Sequence, residues 1–157
     1  MRKFSTLRGF TLVELIIVFA LMGILTVGSM AGFYSYGHNQ TYRTAVSDFV
    51  ANLNDARLRS LNRVKPSQCG TSSLEGYEVW FPPAGTYYRL SVKCGGNYIV
   101  LWRKNLPDQI TFVSGSMNTI FFAVGTGIIA QPGIITITGY NNNSVININE
   151  VGIISTP

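Results

Sequence analysis

The sequence is short of the residues that carry most enzyme chemistry. It has one histidine, His38, two cysteines, Cys69 and Cys94, and only 12% charged residues over 157 positions. A lone histidine and two widely spaced cysteines make poor zinc chemistry. No Gly-x-Ser-x-Gly elbow, no phosphate-cradling glycine loop and no metal-ligand cluster occurs. Glu75 and Glu78 come nearest to a carboxylate pair, but they flank a turn-type glycine in an acid-poor chain, and a solvated strand entrance is the simpler reading. His38 follows an apolar stretch with no nucleophile beside it and reads as a solvated residue. No catalytic residue, cofactor or metal is expected, and the chain is read as non-enzymatic.

Net charge carries little information either. The formal charge is +5, but three of the twelve basic residues, Arg2, Lys3 and Arg8, crowd the first eight positions. The remaining nine basic residues face seven acidic ones, too small an excess to argue for nucleic acid.

What the chain does have is a long uncharged stretch, residues 15–33. Its nineteen positions rise roughly 28 Å as a helix, close to the ~30 Å hydrocarbon layer of a bilayer. It contains no proline; Gly23, Gly28 and Gly32 supply any softness, and Gly28 with Gly32 makes a small-xxx-small face for close helix approach. Glu14 sits at its start, where a carboxylate is costly and calls for a partner or a role. A plain anchor, or a signal peptide cut after Ser29-Met30-Ala31, would explain the apolar run but not Glu14. The basic flank places the N-terminus in the cytoplasm and the bulk of the chain outside, in an oxidising compartment. There Cys69 and Cys94 are expected to form one bridge, closing a loop of about 25 residues and contributing about 3 kcal/mol. Two free or metal-bound thiols are the alternative.

Beyond residue 40 the pattern turns amphipathic. Tyr42, Val46, Phe49, Val50, Leu53, Leu61 and Val64 recur at helical spacing, with Ala56 between, and Arg43, Asp48, Asn52, Asp55, Arg59 and Asn62 fall on the other side. One helix is expected over residues 11–63, stopped by Pro66. Seven short strands should follow, at 77–81, 86–93, 97–104, 109–113, 119–124, 134–138 and 145–149, with turns at Gly95-Gly96, Ser114-Gly115-Ser116 and Asn141-Asn142-Asn143. Tyr77, Trp80, Tyr87, Tyr88, Tyr98 and Trp102 read as core and cross-strand pairs. The expected fold class is α+β: a long N-terminal helix packed on a small head of two antiparallel sheets.

Gly9-Phe10-Thr11-Leu12-Val13-Glu14, with the basic leader before it and the apolar run after it, resembles the N-terminus of type IV prepilins. The resemblance implies cleavage by prepilin peptidase between Gly9 and Phe10, N-methylation of Phe10, and a role for Glu14 in assembly by accepting the Phe10 ammonium. It implies a leader at 1–9, a transmembrane and fibre-core half-helix at 10–36, an amphipathic half at 37–65 and a β-rich periplasmic or extracellular head at 66–157. Partners would be other pilins or pseudopilins in a helical fibre, prepilin peptidase and an inner-membrane assembly platform. The strand order, Gly125-Thr126-Gly127, Glu150-Val151-Gly152 and the helix tail with Ala56, Arg57 and Arg63 resemble the GspH/FimT pseudopilins, although Arg59-Ser60 departs from that family's tail. The function implied is a minor pseudopilin or pilin of a type II secretion or type IV pilus system. The alternative is a DNA-binding minor pilin. The Gly-Arg-x-Arg segment that serves this in some relatives reads Gly152-Ile153-Ile154-Ser155 here, which leaves Arg57, Arg59, Arg63 and Lys65 as a weak nucleic-acid candidate.

Overall fold

Capping decides where the first element begins and ends. The computed structural model describes residues 10–113 and 117–156, side chains of 26–32 excepted. The leader 1–9 with Gly9, the Gly28–Gly32 face and the 114–116 turn lie outside the described residues. The chain divides into two compact units, Met1–His38 and Asn39–Pro157. Helix α1 spans Leu12–Leu61.

Thr11 and Glu14 close a capping box at its start. The Thr11 backbone N–H and hydroxyl both donate to Glu14 Oε2 at 2.9 Å, and the Glu14 N–H donates to Thr11 Oγ1 at 3.3 Å. Donors that a helix start leaves bare are thereby satisfied. At the other end the Arg63 N–H reaches the Ser60 carbonyl and the Val64 N–H reaches Arg59. With Arg63 at φ 53°, this is a Schellman close whose left-handed residue is an arginine where glycine is usual. Pro66 then blocks any further turn.

In the first unit, apolar side chains point outward on every side. Leu12 (75%), Ile16 (59%), Phe19 (65%) and Ile24 (72%) are all exposed. A helix apolar all round is normally covered by lipid or by other helices. Among the described residues no helix is long and apolar enough to cross a membrane. The described side chains break off after Leu25 and resume at Phe33, and the fourteen residues 12–25 rise only about 21 Å.

The second unit holds the sheets. Strands β1 (Leu74–Trp80), β2 (Tyr87–Cys94), β3 (Asn97–Asn105) and β5 (Thr119–Ala123) form one sheet, ordered β3-β2-β1-β5. Strands β4 (Thr111–Phe112), β6 (Gly133–Gly139), β7 (Asn142–Ile148) and β8 (Ile154–Ser155) form the other, ordered β4-β6-β7-β8. Every pairing is antiparallel. The fold is therefore α+β with two antiparallel sheets.

Alternation sets the core. In the first sheet Ile120, Val79 and Leu90 lie in one register row and Phe122, Tyr77 and Val92 in the next, all buried. The second sheet contributes Ile135, Ile137, Ile146 and Ile148, and α1 contributes Tyr42, Ala45, Phe49, Leu53 and Ala56 at three- and four-residue spacing. Phe49 joins all three layers. Its ring lies 4.9 Å from Tyr88, 5.1 Å from Phe112 and 5.7 Å from Phe81, each edge-on.

Several sequence expectations need correction. Gly76 is inside β1, at a register shift, so Glu75 and Glu78 do not flank a turn. The turn before β7 is centred on Tyr140 and Asn141, both at positive φ, and Asn142 already pairs with Gly139. Trp80, Tyr87 and Tyr98 are not core: they alternate out of step with the buried rows and stand on the outer face of the first sheet. There Trp80 and Tyr87 do form a cross-strand pair with ring centroids 6.0 Å apart, Arg89 lies over Trp80 and Arg103 over Tyr87.

Candidate functional site

The residues expected to serve processing, assembly and nucleic-acid binding fall in two places, apart from the cysteine pair. The first is the start of α1. Phe10 is 84% exposed, and Glu14 turns its carboxylate back onto Thr11. The Thr-x-x-Glu spacing forces this, because the third helical residue sits above the cap. The carboxylate therefore lies within one helical turn of the Phe10 backbone, at the positive end of the helix dipole.

The second place is the end of α1, where three separate stretches meet. The Ser60 hydroxyl is fully buried and lies within hydrogen-bond distance of the Phe122 and Ala123 carbonyls. The Ser60 carbonyl accepts from the Gly125 N–H at 2.8 Å. The Arg57 guanidinium donates through Nη2 to the Val151 carbonyl at 3.1 Å. Gly152, at φ 72°, is held where an added Cβ would stand 2.3 Å from the Gly127 carbonyl oxygen, so only glycine fits. The Ile129 N–H donates to Glu150, binding the glycine loop to the C-terminal turn. The helix tail, Gly125-Thr126-Gly127 and Glu150-Val151-Gly152 thus form one closed junction. Sequence reading singled out all three stretches but not their meeting. Ser60, its pin, drew notice only as a departure from the family tail, since a serine on a buried helix face has no distinctive spacing.

This junction changes the meaning of the basic candidates. Arg57 is committed to Val151. Arg59 is paired with Asp55 one turn earlier at 2.8 Å. Arg63 is exposed, with its guanidinium against the Gly125 backbone, and Lys65 is exposed. The four do not present a common row of uncommitted cations. Tyr77, buried beneath them, donates its hydroxyl to the Val64 carbonyl, and burial pushes its pKa up.

Cys69 and Cys94 are joined, with Cα atoms 5.6 Å apart. The bridge ties the 3-10 turn Ser67–Cys69 to the end of β2. Beside it Glu75 pairs with Lys93 at 3.0 Å and accepts from the Gly96 N–H, and these contacts, the Lys93 hydrogen bond first, hold its carboxyl below the usual range. His38 is exposed. Among the described residues no group of three or more His, Cys, Asp or Glu could hold a metal ion.

The prokaryotic N-terminal methylation motif matches residues 7–30. The motif supports a type IV pilin-like protein. It covers the Gly9-Phe10 junction, Glu14 and most of the apolar run, and it leaves the head untouched. Pilin-like proteins of this kind are structural subunits, held at the inner membrane before assembly into a fibre. No curated protein and no solved structure matches the chain.

Proposed function

We propose that the chain is a minor pseudopilin or minor pilin of the GspH/FimT kind, a structural subunit of a type II secretion pseudopilus or type IV pilus. Prepilin peptidase cuts between Gly9 and Phe10, and Phe10 is N-methylated. The apolar half of α1 spans the inner membrane with the N-terminus cytoplasmic and the head periplasmic, then moves into the fibre core. Glu14 accepts the Phe10 ammonium during docking, and in a low-dielectric bundle this offsets the desolvation of both charges. The observation that carries this reading is the methylation motif lying over a helix that is apolar all round and opens on Thr11 and Glu14. A uniformly apolar helix needs a covering, and the fibre core or bilayer supplies it. DNA binding is the weaker reading, because Arg57 and Arg59 are already committed and only Arg63 and Lys65 stay exposed.

Intact mass and N-terminal peptide analysis of membrane-extracted protein tests the proposal. A mature chain beginning at N-methyl-Phe10 is expected. A mature chain beginning at Gly32 would instead mark ordinary secretion and overturn it.

A further inference from the structure

Each antiparallel sheet has two outer strands, and an outer strand offers unpaired N–H and C=O groups to any extended chain that meets it. Three of the four outer strands are blunted. Strands β4 and β8 are two residues long. Strand β5 has five residues and is partly covered, since Phe122 bridges to Ile129 and the Ala123 N–H donates to the Ile128 carbonyl. The fourth, β3, is nine residues long and pairs only with β2 among the described residues.

The sequence of β3 is also unlike a protected edge. Tyr98-Ile99-Val100-Leu101-Trp102 carries no charge and no proline, and Tyr98 and Val100 are each 50% exposed. The usual devices are a central lysine, a proline or a covering loop. Among the described residues the sole device is a bulge: Leu90 pairs with Trp102 and Ser91 with Val100, leaving Leu101 extra. Charge appears only at one end, in Arg103, which lies over Tyr87, and Lys104, which donates to Asn52 Oδ1 at 3.1 Å. Both stay exposed, neither has an acidic partner among the described residues, and no acidic residue lies on the strand.

We infer that β3 is a docking edge for an extended segment of a partner protein, which adds as a fifth, antiparallel strand. Its backbone takes up the open ladder, its β-branched or aromatic residues pack beside Tyr98 and Val100, and acidic residues near its N-terminal end meet Arg103 and Lys104. Antiparallel addition continues the pattern of the sheet, and main-chain bonding supplies affinity while the end charges set direction. The inference concerns the head and stands whether or not the N-terminus is processed as proposed.

Hydrogen exchange read by mass spectrometry on the full chain in detergent tests it, with two synthetic probes. One is the peptide Asp-Glu-Thr-Val-Thr-Val-Thr-Tyr, the other the same peptide opening Lys-Lys. At about 1 mM, where weak peptide binding is populated, the acidic probe should slow exchange in β3 and leave β5 unchanged. The Lys-Lys probe should bind about tenfold more weakly, as opposed charge pairs become like pairs. Val100→Lys, a change on the exposed face, should remove the protection while thermal stability holds. No slowing with either probe, or equal slowing with both, overturns the inference. Concentration-dependent protection of β3 without any probe also overturns it, since a second copy would then be the occupant.

Discussion

Removing the Phe49 ring tests whether one side chain holds the helix and both sheets together. Phe49 is fully buried and meets Tyr88 of β2, Phe112 of β4 and Phe81 between β1 and β2. Phe49→Ala deletes a ring that three edge contacts surround, and the rings around it are themselves packed, Phe81 against Phe112 at 4.2 Å. A tightly held cavity of this kind cannot collapse, so the cost belongs in the 3–5 kcal/mol range for buried Phe to Ala. The unit Asn39–Pro157 has 119 residues, and a unit of that size unfolds with an entropy of about 250 cal/mol/K. A loss of about 4 kcal/mol therefore lowers Tm by roughly 16 °C. Thermal melts of detergent-solubilised full chain followed by near-UV circular dichroism would read it. Leu58→Ala, on the same helix but 54% exposed, is the control and should shift Tm by no more than about 2 °C. The proposed cleavage after Gly9 should be unchanged in both. A Phe49→Ala shift below about 4 °C would refute the three-layer anchor, since it leaves only about 1 kcal/mol for the ring.

The capping box separates two roles of Glu14. Glu14→Gln keeps an acceptor for Thr11 and loses the charge, whereas Glu14→Ala loses both. Pull-down from solubilised membranes should show poor partner-pilin recovery for both at normal abundance, and wild-type recovery with Gln would reduce Glu14 to a helix cap. Reducing the Cys69–Cys94 bridge, which closes 25 residues, should cost about 3 kcal/mol, or roughly 12 °C in Tm, and thiol alkylation without prior reduction should label neither cysteine. Burial pushes the Tyr88 hydroxyl up to about 12. A raised folded pKa means its contribution to stability is complete below pH ~10 and is lost as pH rises towards ~12. Denaturant midpoints should therefore fall across that window, and Tyr88→Phe should flatten the fall.

The helix and the sheets were legible in the sequence for different reasons. The apolar run and the amphipathic stretch gave α1 to within two residues at each end, because periodicity and Pro66 act locally. All seven expected strands are present, but 109–113 shrank to Thr111–Phe112 because Gln109 takes a positive φ. Strand β8, only Ile154–Ser155, is too short to show a period. The turn at Tyr140-Asn141 was missed because tyrosine rarely takes φ > 0, and the triple asparagine after it drew attention one residue too far. The head aromatics were expected as core and cross-strand pairs, but alternation along a strand does not say which face is wet, so Trp80, Tyr87 and Tyr98 on the outer face could not be told from buried Tyr77 and Tyr88. The charges of Arg57 and Arg59 were visible from the start; their commitment to Val151 and Asp55 depends on loop closure over 94 residues in one case and on a helical turn in the other.

The order in which the chain is made sets its own constraint. The buried face of α1 is synthesised before anything that covers it. Tyr42 donates its hydroxyl to the Ile137 carbonyl, a partner 95 residues later. At the 5–20 residues per second of translation, that wait lasts roughly 5–20 s. During it the apolar stripe of Tyr42, Phe49 and Leu53 has at most the first sheet as cover, and the last sheet, which completes the cover, closes over long loops and so forms slowly. A chain halted before β6 would keep its helix and first sheet but lack Ile135, Ile137, Ile146 and Ile148, the second sheet's share of the core. Truncations ending before residue 133 should therefore appear as protease-sensitive, chaperone-bound species rather than as smaller folded heads.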